Sequence, residues 1–367
     1  MIKISLFCYH FYKLPKYVRY EDVTILRFFL SFFSFTFCLR WSGYGQGDWM
    51  RKRRWFVFTL LVALFALVAC SNNEQKEVKE DDKAENTPAV EEEVSEAAEG
   101  YTETKGQSVT YYTMDPDDVF GSTATIIEKD GKGILVDTQF SKEDAAHILK
   151  VAEEKGVELE TIYISYSDPD FYFGTNEIVK KFPDAKVVAT PATIERIQNT
   201  YEAKLQVWAD TLKDGAPDEI VIPEVVEDAI VLGDTTFTIF GDDLEKQTLY
   251  NEADDLFLGG ILVSTGSHLF MADTKTIESQ QQWVKDLEQL ELAQPKVIIP
   301  GHFEKGNAFQ PDNITFTKEY IQAFIQAEQE TETSAELVEK MKEAYPDLEE
   351  GNLEMSAQVV KGEMEWE

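Results

Sequence analysis

The chain has 367 residues, with 34 basic and 68 acidic side chains, a formal charge of −34. Such a field repels nucleic acid and other polyanions and keeps a protein dispersed. A DNA or RNA partner is therefore excluded, and heavily phosphorylated substrates are disfavoured. The cysteines are Cys8, Cys38 and Cys70, so nothing beyond position 70 can form a disulfide or a cysteine-based zinc site.

The first interpretable signal is Arg51-Lys52-Arg53-Arg54, followed by the apolar run 55–65 and then Leu67-Val68-Ala69-Cys70. A basic start, a short apolar core and a small residue before the cleavage point make a secretory signal over residues 50–70. The Leu-Val-Ala-Cys ending resembles a bacterial lipobox, whose cysteine is lipidated and becomes the first residue of the mature chain. The competing reading is a single transmembrane anchor, for which the apolar run is near the lower length limit. Met50 directly precedes the basic cluster, and Gln46-Gly47-Asp48 can be encoded by a purine-rich ribosome-binding stretch. Residues 1–49 are accordingly expected to be translated upstream sequence, although the apolar run 28–39 argues for a real membrane segment. The expected location is the cell membrane, lipid-anchored at Cys70 and facing the extracytoplasmic side. Without the ten basic and three acidic side chains of residues 1–70, the exported part keeps 24 and 65, a charge of −41.

Residues 71–107 are dominated by Glu, Asp, Lys, Ala and Ser and are expected to be an acidic disordered tether. From 108 to 311 short apolar strands alternate with amphipathic helices, ample length for one buried domain. Strands are predicted over 123–128 and 133–137, joined by a hairpin at Asp130-Gly131. A helix over 143–154 follows from the spacing of Ile148, Val151 and Ala152. Then come a buried strand at 161–164, a short helix at 176–181, a strand at 186–189 and a longer helix at 193–212. Strands at 229–232, 237–240, 256–263 and 269–271, a helix at 278–290 and a last strand at 297–299 complete the domain. Residues 312–367 are expected to form a helical appendage packing on the main domain, with helices at 313–328 and 336–344. Thr333-Ser334-Ala335-Glu336 is a capping box for the second of these, and Tyr345-Pro346 ends it.

Three loops, each after a predicted buried strand, concentrate the reactive side chains. The first runs from Ser165 through Tyr166, Asp168, Asp170 and Phe171 to Gly174. The second is Ala272-Asp273-Thr274, and the third is Pro300-Gly301-His302. Carboxylates and an imidazole at strand ends, with glycines to turn the chain, are what a metal site in an α/β protein requires. Taken singly, an Asp after a strand is more often a helix cap or turn former.

Together, the order and spacing of these loops resemble the metallo-β-lactamase-fold hydrolases, over residues 123–302. Ile134-Leu135-Val136-Asp137-Thr138 resembles that superfamily's early strand ending in Asp. Residues 164–174 lie where it carries a T-H-x-H-x-D-H-x-G-G loop, 269–274 where it carries a bridging Asp, and 297–302 where it carries I-x-P-G-H. The resemblance implies an α/β four-layer αββα sandwich with divalent metal at one edge, between two sheets. It also implies Asp170, Asp273 and His302 as metal ligands. The departures are specific: Tyr166, Asp168 and Phe171 stand at histidine positions, and no histidine occurs near Asp243. A first metal position would have to be built from Asp168, Tyr166 and Asp243. So oxygen-rich a site favours Mn²⁺, Fe²⁺ or Mg²⁺ as rivals to the superfamily's Zn²⁺. A metal-lowered water would attack an ester, lactone, amide or related bond of a small-molecule substrate, with Asp168 or Tyr166 orienting it or donating a proton.

The other histidines are weaker: His268 precedes the strand expected to deliver Asp273, His147 lies on an amphipathic helix, and His10 lies in the leader. Phe171, Tyr172, Phe173, Trp208 and Trp283 are candidates for an apolar pocket wall, with core packing as the default. Two further readings compete with the hydrolase: a catalytically degenerate binding protein of the cell envelope, and an acidic scaffold. The scaffold leaves unexplained why Asp170, Asp273 and His302 sit at three separate strand ends. Mass spectrometry of the protein purified from its native membrane is expected to find no peptide from residues 1–49. It should also find diacylglyceryl on Cys70, and Cys70→Ala should release the protein from the membrane fraction.

Overall fold

Alternating apolar side chains build the first sheet. In the computed structural model, which describes residues 100–241 and 246–366, its strands and helices run in chain order. They are β1 (Tyr101–Lys105), β2 (Thr110–Met114), β3 (Thr125–Lys129), β4 (Lys132–Val136), α1 (Lys142–Lys155), β5 (Glu158–Ile164), α2 (Pro169–Tyr172), α3 (Thr175–Lys181), β6 (Lys186–Ala189), α4 (Pro191–Leu212) and β7 (Glu224–Val225). The seven strands lie in sequence order, antiparallel through β4 and parallel from β4 to β7. Asp130 (φ 53°) and Gly131 (φ 78°) both adopt the left-handed conformation that the two-residue β3–β4 hairpin demands.

The second sheet is formed by β8 (Ala229–Leu232), β9 (Thr235–Phe240), β10 (Thr248–Asn251) and β11 (Leu256–Leu258). After α5 (Ile277–Leu292) it is completed by β12 (Val297–Ile299), in the order β12-β11-β10-β9-β8. Helices α6 (Asp312–Glu330), α7 (Ser334–Ala344) and α8 (Leu353–Val360) end the described chain.

Side-chain alternation explains the layering. On β3, β4 and β5, Ile126, Leu135 and Ile162 point to one face, where they pack with Ile148, Val151 and Ile197 of α1 and α4. Their neighbours Ile127, Ile134, Val136 and Tyr163 point to the other face. There they meet Phe237, Leu249, Leu256, Leu258 and Ile299 of the second sheet. Phe257 and Ile298 face outward onto Leu287, Phe324 and Leu337 of α5, α6 and α7. Three apolar cores between four layers make the αββα sandwich.

Several sequence expectations are corrected. Residues 101–105 belong to the sheet rather than the tether: β1 pairs with β2 along its whole length. Only Tyr101 of β1 is buried, and so charged a strand shows no apolar alternation. The strand expected over 256–263 stops at Leu258, because Gly259 and Gly260 both have positive φ (73° and 71°) and turn the chain. No strand forms over 269–271. That segment is held instead by the C-terminal region, through the His268 amide on the Glu349 carbonyl (2.9 Å) and the Met271 amide on Ser356 Oγ (2.9 Å). The C-terminal helices form and pack on the domain as expected, where Phe324, Leu337, Met341, Leu353 and Ala357 help build the core under the second sheet. The Thr333–Glu336 capping box forms as expected.

Backbone packing at the strand-end loops leaves no room for a side chain at position 301. A Cβ on Gly301 would collide with the Gly260 carbonyl and press on the Phe171 ring. Gly301→Ala is expected to cost about 1–3 kcal/mol, the usual range for overpacking, read as a lowered midpoint in urea unfolding.

Candidate functional site

The loops after β5 and β12, the segment after residue 270, and the 115–121 turn open into one cleft of about 1120 Å³. Asp168, Asp170, Asp273, His302 and Tyr166 all line it, together with Trp208, Trp283 and His268. Backbone and buried-carboxylate contacts fix these loops. Asp137 (φ 62°) accepts from the Ser165 amide (2.7 Å) and Oγ (2.6 Å), and Ser165 Oγ accepts from the Gly260 amide (2.9 Å). One carboxylate thus ties the end of β5 to the loop after β11 in the other sheet. Burial pushes the Asp137 carboxyl up to about 8, against the lowering effect of its Ser165 bonds. Ser122 bridges the Asp117 carboxylate (2.5 Å) and the Asp170 carbonyl (2.9 Å), and the His302 backbone lies between Ser122 and Ser264.

The predicted ligands separate into three pairs. His302 Nε2 meets Asp170 Oδ2 at 2.9 Å. Asp273 does not join them: its Oδ1 takes Arg196 (2.7 Å) and the Trp366 indole N–H (2.7 Å), and its Oδ2 takes the Tyr166 hydroxyl (2.6 Å). Asp168 Oδ1 is held by the Lys204 ammonium at 2.8 Å, which also reaches the Ser167 carbonyl at 3.2 Å. Two of the residues at histidine positions fill space with rings. Tyr166 and Phe171 meet edge to face (5.5 Å), and Phe171 meets the His302 ring in the same way (5.1 Å). Asp243 and Cys70 lie outside the described residues, as does His10.

These donors do not fit a metal ion. Among the described residues no three His, Cys, Asp or Glu side chains are grouped to hold one, which corrects the expected convergence of Asp170, Asp273 and His302. The Asp273 oxygens already accept three side-chain donors, and Asp168 faces an ammonium.

Of the remaining expectations, Trp208 and Trp283 line the cleft, while Phe171, Tyr172 and Phe173 are core. His268 lines the cleft but its Nδ1 is engaged by the Tyr320 hydroxyl (3.0 Å), and His147 Nε2 meets the Gly100 carbonyl (2.9 Å). Sequence reasoning missed Arg196, Lys204 and Trp366. One signal was present for Lys204, which stands in the stripe Ile197, Tyr201, Lys204, Trp208 and is itself only 6% exposed. A lysine at a core-facing helical position needs a buried partner.

The electrostatics follow from burial against pairing. Desolvation raises Asp168 to about 6, opposed by Lys204 and reinforced by Asp273 and Asp170. Burial also pushes Asp273 upward, but Arg196 and the Tyr166 and Trp366 donors outweigh it, so the carboxyl sits below its ordinary range. For His302 burial favours the neutral ring, yet the Asp170 bond and the charges of Asp170, Asp117 and Asp168 raise it overall. A carboxyl raised on folding binds more protons in the native than in the unfolded state, so its contribution to stability falls as pH rises from its unfolded value to its folded one. Between pH 4 and 6, Asp168→Asn is therefore expected to remove a decline in stability with rising pH. Urea midpoints across that range for the two proteins check the sign.

No family model matches the chain. A curated relative, Recombination protein 2 of Haemophilus influenzae, is 34% identical over 85 residues, which is 22% of this chain; the match spans only 11% of that relative's length. A solved structure of a beta-lactamase domain protein from Burkholderia ambifaria superposes with a TM-score of 0.52 at 16% identity, covering 71% of this chain and 86% of that one. A metallo-beta-lactamase from Pontibacter korlensis gives a TM-score of 0.44 at 18% identity, over 60% and 99%. With two facing sheets, helices on both outer faces and the superposition on the Burkholderia ambifaria structure, the chain has the metallo-β-lactamase fold.

Proposed function

We propose that this chain is a lipid-tethered, extracytoplasmic protein that binds a small molecule in the cleft at the strand ends. The observation that carries the reading is the cleft itself. At about 1120 Å³ it is as large as the pockets that enclose small ligands, and aromatic side chains stand beside polar groups already fixed by hydrogen bonds. Phe120 and Trp208 meet edge to face at 4.8 Å, with Phe140 packed behind them at 4.9 and 5.9 Å. Val119 and Val207, 49% and 68% exposed, form an apolar lip. The lipid anchor at Cys70 and the tether that follows would hold this cleft outside the membrane and leave it open to passing solutes.

A hydrolase is the second reading, favoured by one observation. The Asp170–His302 pair and an Asp168 carboxyl near 6 place proton carriers suited to neutral pH in one cleft. On this reading His302 takes a proton from a water that attacks an ester, lactone or amide, and Asp168 supplies one to the leaving group. No step runs through a metal, because the donor set does not fit one.

Elemental analysis and thermal-shift screening of purified residues 71–367 separate the readings. The binding protein is expected to carry substoichiometric metal and to gain melting temperature with ligands that it does not turn over. Trp208→Ala should weaken such ligands by about tenfold, the size of one aromatic contact. Turnover of a model ester or lactone, lost in His302→Ala with the fold intact, establishes the hydrolase instead.

A further inference from the structure

Three carboxylates stand at the strand ends, and each meets a basic side chain. The Asp273 side chain is 3% exposed and pairs with Arg196, Asp168 pairs with the buried Lys204, and Asp170 pairs with His302. Two of the three basic side chains come from α4, eight residues apart. That separation is a little over two turns, about 12 Å along the axis, enough for one helix to reach two loops. Asp273 and Asp168 are thus each already held by a fixed side-chain cation at hydrogen-bond distance, 2.7 and 2.8 Å.

We propose that Arg196 and Lys204 are built-in counter-cations that take over the electrostatic role of bound metal at this edge of the fold, so that α4 makes the site indifferent to metal. This inference rests on the reading of the chain as a protein that works without metal. A divalent ion entering the site would have to break a buried pair and leave a cation without its partner, which is strongly unfavourable. Arg196 also shapes the site: one guanidinium nitrogen meets Asp273, the other lies 3.3 Å from the Tyr166 hydroxyl, and its carbon stands 5.8 Å from the Tyr166 ring centre. The planar fork thus fixes the ring that fills a histidine position, a task that the point charge of a lysine does less well.

The test compares residues 71–367 as wild type, Arg196→Gln, Lys204→Gln and the double variant. Mn²⁺ and Zn²⁺ binding is followed by calorimetric titration and by melting temperature, with NaCl of matched ionic strength as the control. Wild type is expected to show no metal-specific shift. The double variant should melt lower, regain stability with metal, and bind Mn²⁺ more tightly than wild type by about tenfold or more, as expected for charge removed at this range. Asp273→Asn added to the double variant should cancel that gain. The charge-preserving Arg196→Lys and Lys204→Arg should stay indifferent to metal, and Lys204→Gln alone, beside the partly exposed Asp168, serves if the double variant does not fold. Variants as indifferent as a metal-free wild type would overturn the inference and leave the binding reading standing. Stoichiometric metal in the wild type would overturn both.

Discussion

Buried carboxylates must be matched by donors, and that requirement organises this molecule. A carboxylate taken out of water costs several kcal/mol unless a cation or several hydrogen bonds replace the lost hydration. Asp117, Asp137 and Asp170 are each less than a tenth exposed, the Asp273 side chain is 3% exposed, and each is answered in its own way. Asp117 accepts from the amides of Val119, Phe120 and Ser122. Asp137 uses Ser165, Asp170 uses His302, and Asp273 uses Arg196, Tyr166 and Trp366. Asp117 is satisfied within its own turn, but the donors to Asp137, Asp170 and Asp273 come from other loops, so satisfying those charges also fixes how the loops lie against one another.

The four-layer architecture decides where those loops meet. Parallel strands β4 to β6 send their carboxyl ends toward one edge, and β12, parallel to β11, delivers His302 to the same edge. Clefts in α/β sheets form outside the carboxyl ends of the strands because the turns leaving neighbouring strands diverge there. The Asp137–Ser165–Gly260 chain of hydrogen bonds crosses between the sheets at this point. The C-terminal segment closes the other wall: Trp366 bonds Asp273 and stacks edge to face with Phe270 at 5.6 Å. Residues 93 positions apart thus complete one cluster.

How much of this was legible in the sequence depended on the range of the cause. The strand-end loops could be placed because their neighbours are local: apolar runs ending in Asp, Gly or Pro-Gly-His read as strand then turn. Helices α1, α4 and α5 were found within two residues at each end because their apolar positions recur at helical spacing. β1 was missed because a charged edge strand has no apolar alternation to show. β10, Thr248–Asn251, was missed as well, since its burial comes from neighbours that the sequence does not display. Residues 269–271 looked like a strand because they are apolar, yet the amides of Met271 and of the neighbouring His268 are claimed by a segment more than 75 positions away.

From the sequence alone came the alternation of strands and helices, the order of the strand-end loops and their scarcity of histidine, and the expectation of a lipobox-like start before an acidic tether. These are properties of neighbouring residues, set by periodicity, turn chemistry and composition. The tertiary structure alone decided which charge faces which. Asp273 and His302 both stand after buried runs, yet one meets a guanidinium and the other a carboxylate, because α4 lies across the first loop while β12 ends beside the second. Pairing across such distances is fixed by packing, and packing is not written in the spacing of any one segment.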